Sequence, residues 1–220
     1  NEIGTIQPVA ELAERAHAAR ALFLCDAVQG AGKIAAPANA DLIALSAHKL
    51  YGPKGIGALW VRDGVALQPL IHGGGQEGGL RSGTLSPALC AGFGAAAALC
   101  TSLGESDRLH VEKLWETARA LFADWVLNGS ADARWHGNLN VRRDGVDVAR
   151  LLSDCRTVSF SAGSACASGS GRPSHVLRAL GLSDKQAKTA IRIGFGCYTT
   201  EDELLGAAAA INAATLAQGV

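Results

Sequence analysis

Asp41-Leu42-Ile43-Ala44-Leu45-Ser46-Ala47-His48-Lys49 is an apolar run that ends in a hydroxyl, an imidazole and an amine. A short apolar run closed by polar residues reads as a buried strand, so this stretch predicts a strand over 41–46 with Lys49 just past its carboxyl end. Upstream, Ala21-Leu22-Phe23-Leu24-Cys25 closes on Asp26 in the same way and reads as a strand buried on both faces. Downstream, Gly57-Ala58-Leu59-Trp60-Val61 repeats the form. Ahead of all three, Val9, Leu12, Ala13 and Ala16 recur at helical spacing with Glu11, Glu14 and Arg15 outward, predicting a helix over 8–20 with Pro8 in its first turn. Short apolar strands interleaved with amphipathic helices predict an α/β fold with a mixed or parallel sheet.

Residues 73–83 hold six glycines in eleven positions, which excludes a regular element there. An Ala-rich helix is expected over 87–102 and a second over 106–127, with Leu109, Leu114, Trp115, Ala118, Leu121, Phe122 and Trp125 on its inner side. That pair marks the handover between a domain over 1–104 and another over 105–220. The second alternates: strand 138–141, helix 146–153, strand 157–161, a small-residue loop, a helix beginning near Pro173, strand 190–193 and a last helix from about Thr200. Thr200 and Glu203 have the spacing of a capping box. This is the pattern of a compact α+β unit.

The 220 residues carry 20 Lys+Arg against 20 Asp+Glu, with no basic or acidic block, so neither nucleic acid nor an anionic membrane is expected as a partner. No apolar run is expected to approach the ~18 residues of a spanning helix, and the expected setting is cytoplasmic. Glycine is frequent, 27 residues, and Met is absent. A chain opening Asn1-Glu2-Ile3-Gly4 without Met reads as the interior of a longer protein or a processed one. Six cysteines at wide spacings, with no C-x-x-C pair, argue against a metal cage or a disulfide framework. Most are expected to be small buried hydrophobes.

Four residues stand where chemistry is commonly placed. Lys49 follows a strand end and precedes the stiff turn Tyr51-Gly52-Pro53-Lys54-Gly55. It is either a solvated loop lysine or an amine held to condense with a carbonyl. Asp26 is either a helix cap or the partner of a buried cation; if the two strands are neighbours, Asp26 and Lys49 grip one ligand from two sides. Pyridoxal phosphate asks for such a pair, an amine for its aldehyde and an acid for its ring nitrogen. Cys166, inside Ser161-Ala162-Gly163-Ser164-Ala165-Cys166-Ala167-Ser168, is either inert or an accessible reactive thiol. Arg192, in the apolar run Ala190-Ile191-Arg192-Ile193, pairs either with a structural carboxylate or with a substrate's.

Taken together, five blocks in order resemble the cysteine desulfurases, pyridoxal-phosphate enzymes of the class V aminotransferase group. They are Asn1-Glu2-Ile3-Gly4-Thr5-Ile6-Gln7-Pro8; Asp26-Ala27-Val28-Gln29; Ser46-Ala47-His48-Lys49 with Tyr51-Gly52-Pro53-Lys54-Gly55; Gly73-Gly74-Gly75-Gln76-Glu77 through Arg81-Ser82-Gly83-Thr84; and the Cys166 segment followed by Pro173-Ser174-His175-Val176-Leu177. The resemblance implies the PLP-dependent transferase fold type I, aspartate aminotransferase-like: the rear part of the large mixed-sheet domain over 1–104 plus the small α+β C-terminal domain over 105–220. It further implies that Lys49 binds the cofactor aldehyde, Asp26 the ring nitrogen and Gln29 the ring hydroxyl. Ser46 and His48 are implied to bind the phosphate, and Thr84 to reach the phosphate of the other subunit of a homodimer. Asn1 is implied to lie beside cofactor and substrate, Arg192 to hold the substrate carboxylate, and Cys166 to accept sulfur. The implied reaction takes L-cysteine to alanine and passes persulfide sulfur to an acceptor protein such as an iron–sulfur scaffold. Selenocysteine lyase, cysteine-sulfinate desulfinase and a module unable to hold the cofactor alone are the alternatives. Two positions depart from the family pattern: Gly78 stands where a charge is common, and Cys197 where arginine is expected.

Overall fold

The computed structural model describes residues 1–163 and 173–220. The chain divides into two compact units, one of residues 8–104 and one of residues 1–7 with 105–220.

In the first unit, α1 (Val9–Ala18) follows Pro8 and buries Ala13. Strands β1 (Leu24–Asp26), β2 (Leu42–Ser46) and β3 (Gly57–Val61) form one sheet in the order β1-β2-β3. β1 runs parallel to β2, with Asp26 opposite Ala44, and β3 is antiparallel, with Gly57 opposite Ser46. The sheet is therefore mixed. Burial departs from the sequence expectation: β1 and β3 are mostly exposed, because Leu22, Leu24, Leu59 and Trp60 meet no covering element among the described residues. Gly57 sets the spacing of β2 and β3, since a Cβ there would fall 2.6 Å from the Leu45 carbonyl oxygen. The glycine-rich segment makes one four-residue 3-10 turn, Gln76–Gly79, in which Glu77 and Gly78 have φ of 54° and 62°.

α2 (Pro87–Leu121) is one continuous 35-residue helix where two were expected. The Thr101 hydroxyl donates to the Ala97 carbonyl and the Ser102 hydroxyl to that of Leu99, so the small polar residues turn back onto the helix instead of breaking it. By length and composition alone this helix contains an 18-residue stretch apolar enough to cross a membrane, contrary to the expectation, and only 6% of that stretch is buried. Its C-terminal half carries Val111, Leu114, Trp115 and Ala118 on one buried stripe, and Phe122, just past its end, is buried with them; Leu109 faces outward.

The second unit is built on a four-stranded antiparallel sheet of β4 (Val126–Leu127), β5 (Asn138–Arg142), β6 (Ser161–Ala162) and β7 (Ala190–Gly194), in the order β4-β5-β7-β6. The strand expected over 157–161 is reduced to β6, because only Ser161 and Ala162 pair with β7. Alternation divides the sheet's faces. Leu139, Val141, Ile191 and Ile193 enter a core with α2, α3 (Val148–Asp154) and α6 (Glu201–Leu216), while Asn138, Asn140 and Arg192 line the opposite face. Ser174 caps α4 (His175–Ala179), and Ser183 with Gln186 closes a capping box on α5 (Asp184–Lys188), an element the sequence reading missed. Thr200 and Glu203 form the expected box on α6.

Residues 1–7 were expected in the domain over 1–104 but belong with 105–220. Trp135 N–H donates to the Gly4 carbonyl at 2.8 Å and Ile6 N–H to Ala133 at 2.9 Å. Asn140 Nδ2 donates to the Glu2 carbonyl at 3.0 Å, Arg134 donates to that of Ile3, and Ile3 packs with Leu177, Ala187 and Ala190.

Candidate active site

In the first unit the carboxyl ends of the parallel neighbours β1 and β2 lie side by side, and each ends in a polar group. Asp26 closes β1, and its Oδ1 accepts from the Val28 N–H at 3.0 Å, so the turn carrying Gln29 leaves the strand in a fixed direction. Ser46 closes β2, and its Oγ is hydrogen-bonded to His48 Nδ1 at 2.9 Å. The chain then makes a 3-10 turn over Ala47–Lys49. Ala47 is fully buried, its N–H donates to the Ile56 carbonyl, and its own carbonyl accepts from Leu50 and Gly52 N–H, at 3.0 and 2.9 Å. A Cβ at Gly52 would stand 3.0 Å from that same oxygen. The turn is thus closed by glycine and pinned at its buried alanine, leaving Lys49 half-buried and His48 exposed at the strand ends. Open parallel strands put ligand chemistry at this edge.

Beneath the strands, buried Asp41 accepts from the Phe23 N–H at 2.6 Å, meets His17 Nε2 at 2.9 Å and pairs with Arg62. The amide bond first, then His17 and Arg62, hold its carboxyl below the ordinary carboxylate value. Asp41 ties α1 to the starts of β1 and β2 and is structural. Thr84 is exposed beyond the glycine-rich segment, whose Ser82 hydroxyl donates to the Gly74 carbonyl at 2.6 Å.

In the second unit two donors converge on the Asn1 carbonyl: Arg192 Nη1 at 2.8 Å and Asn138 Nδ2 at 3.0 Å. Arg192 stands opposite Asn140 on one side and Ser161 on the other. No described carboxylate lies within ion-pair distance of it, so the structural carboxylate weighed from the sequence is absent among the described residues. Asn138 is the residue the sequence reading missed. Its signal was the alternation Asn138-Leu139-Asn140, which puts two amides on the face that also holds Arg192.

Cys166 lies outside the described residues. Of the five described cysteines only Cys155 is buried, whereas most were expected to be. Burial, then Asp154, raises the Cys155 thiol, and burial, then Asp26, raises that of Cys25; both are kept protonated and are poor nucleophiles.

The family described as Aminotransferase class-V matches residues 1–205. The chain belongs to the class-V aminotransferase family. Among curated relatives of this class-V chain, the mitochondrial cysteine desulfurase of Saccharomyces cerevisiae is 45% identical over 212 residues, 93% of this chain and 43% of the relative. Of solved structures, a NifS-like protein from Rickettsia africae superposes with a TM-score of 0.87 at 28% identity, covering 97% of this chain and 59% of that one. SspA, solved in complex with cysteine, superposes with a TM-score of 0.73 at 36% identity, covering 90% and 57%. The fold is that of the fold type I pyridoxal-phosphate enzymes, as the sequence resemblance implied. The class-V chain spans about half the length of the curated relatives it matches.

Proposed function

We propose that the whole protein is a pyridoxal-phosphate-dependent cysteine desulfurase, and that this chain supplies it with the lysine, the ring-nitrogen partner and part of the phosphate site. One observation carries the reading: Asp26 on one side and Ser46, His48 and Lys49 on the other stand at adjacent carboxyl ends of two parallel strands. The donor chemistry fits the cofactor. An amine for an aldehyde, a carboxylate for a ring nitrogen, and a hydroxyl with an imidazole for a phosphate are the groups that pyridoxal phosphate requires.

When bound, the cofactor would supply an aldehyde that condenses with amines and a ring that stores the electron pair left at the substrate Cα. Asp26 would hold the proton on the ring nitrogen, with Gln29 at the ring hydroxyl. Ser46 and His48, already hydrogen-bonded to each other, would take phosphate oxygens, and Thr84 would reach the phosphate of a second subunit. Lys49 Nζ would hold the aldehyde carbon in the resting protein and, once displaced by L-cysteine, take the Cα proton as general base. Arg192, in the other unit, is assigned the substrate carboxylate, which a guanidinium binds bidentately. Asn1, whose carbonyl Arg192 and Asn138 already fix, would lie beside cofactor and substrate. Cys166 is assigned the sulfur, which passes as a persulfide to an acceptor protein of iron–sulfur or thio-cofactor assembly. The relative at 45% identity and the neighbour solved with cysteine support L-cysteine as the substrate.

The full-length protein, loaded with pyridoxal phosphate, is expected to release alanine from L-cysteine, to lose that activity in Lys49→Ala, and in Cys166→Ser to bind L-cysteine without forming persulfide. Faster turnover of selenocysteine or cysteine sulfinate than of cysteine reassigns the substrate. Persulfide on Cys155 or Cys197 in the Cys166→Ser protein shows that the sulfur acceptor is another thiol.

A further inference from the structure

Away from these residues, a cluster on the second unit remains electrostatically incomplete. Glu112, Trp115 and Arg119 share one stripe of α2 at i, i+3 and i+7. His136 stacks on the Trp115 ring, with centroids 4.6 Å apart and planes 10° from parallel, and its Nδ1 lies 2.5 Å from Glu112 Oε2. Two guanidinium groups also face that indole, Arg134 at 5.1 Å and Arg119 at 5.9 Å from its centroid.

Arg134 is only 4% exposed. Its Nη1 donates to the Asn128 and Ser130 carbonyls and its Nη2 to those of Ile3 and Asn138, all neutral acceptors. Its Nε is buried with no hydrogen-bond partner, and the Nη1 of Arg119 is in the same condition. Neither arginine has a described carboxylate within ion-pair distance, since the nearby Glu112 is engaged by His136. Two like charges therefore share one aromatic ring, with one unused donor each. Buried charge in this state is costly, because a buried cation is ordinarily paired.

We propose that Arg119 and Arg134 form a binding site for a carboxylate, one oxygen accepting from Arg134 Nε and the other from Arg119 Nη1. A carboxylate offers two acceptor oxygens to two donors, cancels the repulsion between the cations, and adds charge-assisted bonds stronger than neutral ones. Arg119 is half-buried as a residue, but both donor atoms are themselves closed to solvent, so its side chain must turn outward to admit the carboxylate. Burial, and next the positive charge of Arg119, pull Arg134 down to about 10, as expected of a cation lacking a counter-charge. A free small acid and an acidic side chain of a polypeptide both supply this carboxylate; the recognition chemistry is shared.

The test follows the Arg134 Nε–H resonance of the 15N-arginine-labelled full-length protein at constant ionic strength. It is titrated with acetate, with acetyl-Gly-Glu-Gly-amide and with acetyl-Gly-Gln-Gly-amide. The expected result is a saturable shift with acetate or the glutamate peptide and none with the glutamine peptide. Loss of one charged hydrogen bond in Arg119→Gln, on a half-exposed side chain, is expected to weaken binding by roughly tenfold or more. Arg150→Gln, remote in sequence on α3, is expected to titrate as the parent does. Tighter binding of the glutamate peptide than of acetate assigns a polypeptide source, and equal binding a free acid. A shift that is absent or never saturates, or an Arg119→Gln protein that titrates like the parent, overturns the proposal.

Discussion

The two units of this chain bury their apolar residues very differently. The unit of residues 1–7 and 105–220 encloses Phe122, Leu114, Leu139, Leu151, Ile191 and Ile211 at 2% exposure or less, on one face of a four-stranded sheet. The unit of residues 8–104 buries Ala13, Ala40, Leu42, Ala47, Leu50 and Ala96, all but two of them alanine, while Leu22, Leu24, Leu59, Trp60 and Leu70 stay open. The same unit carries most of the proposed cofactor ligands. The better-buried unit and the unit holding most of the proposed cofactor ligands are thus different parts of the chain, a contrast that substitutions can measure.

The largest effect is expected in the buried core. Leu139→Ala, at 0% exposure, should cost about 2–5 kcal/mol in denaturant unfolding, and Leu70→Ala, at 95%, no more than about 0.5 kcal/mol. Equal costs would erase the contrast. Next is Gly57→Ala, whose methyl group would meet backbone at 2.6 Å. A loss of about 1–3 kcal/mol is expected, together with weaker pyridoxal-phosphate retention as the Ser46 end of β2 is displaced. Thr200→Ala removes a cap that accepts from the Glu203 N–H and should cost about 1 kcal/mol, read from the unfolding of the second unit.

The smallest is a pH effect confined to the first unit. Asp41 has a lower pKa folded than unfolded, so its contribution is fully present above the unfolded carboxylate value and is lost as pH falls through the folded one. Asp41→Asn should flatten the acid limb of that unit's stability profile and leave the neutral region without that pH-dependent contribution. An unchanged acid limb, read by circular dichroism across the acid range, would show that the His17, Arg62 and Phe23 contacts do not distinguish the folded carboxylate.

How far this was legible in the sequence follows from the range of each interaction. The run from Asp41 to Lys49 announces its strand, its end and its reactive groups within nine residues, and the Thr200 box is equally local. β1 and β6 proved shorter than their apolar runs because pairing, not hydrophobicity, ends a strand, and only 24–26 and 161–162 find partners. The junction at Ser102 to Ser106 reads as a break from composition, yet a glycine inside a helix costs only about 1 kcal/mol, which the rest of a long helix outweighs. The attachment of Asn1 to Asn138 and Arg192 spans 137 and 191 positions and leaves no local signature. The Arg119, Arg134 and Trp115 cluster joins residues much nearer in sequence, but it is assembled from a helix and a loop, so only the fold reveals its missing counter-charge.

The central claim is that the adjacent ends of β1 and β2 form the cofactor site. Its most direct test is to incubate the full-length protein with pyridoxal phosphate, fix the lysine–aldehyde bond with borohydride, and locate the added mass by peptide mapping. The label is expected on Lys49, with its loss in Lys49→Ala and a sharply reduced yield in Asp26→Ala. Label on Lys33 or Lys54 in the unsubstituted protein, or none on any lysine, would contradict it.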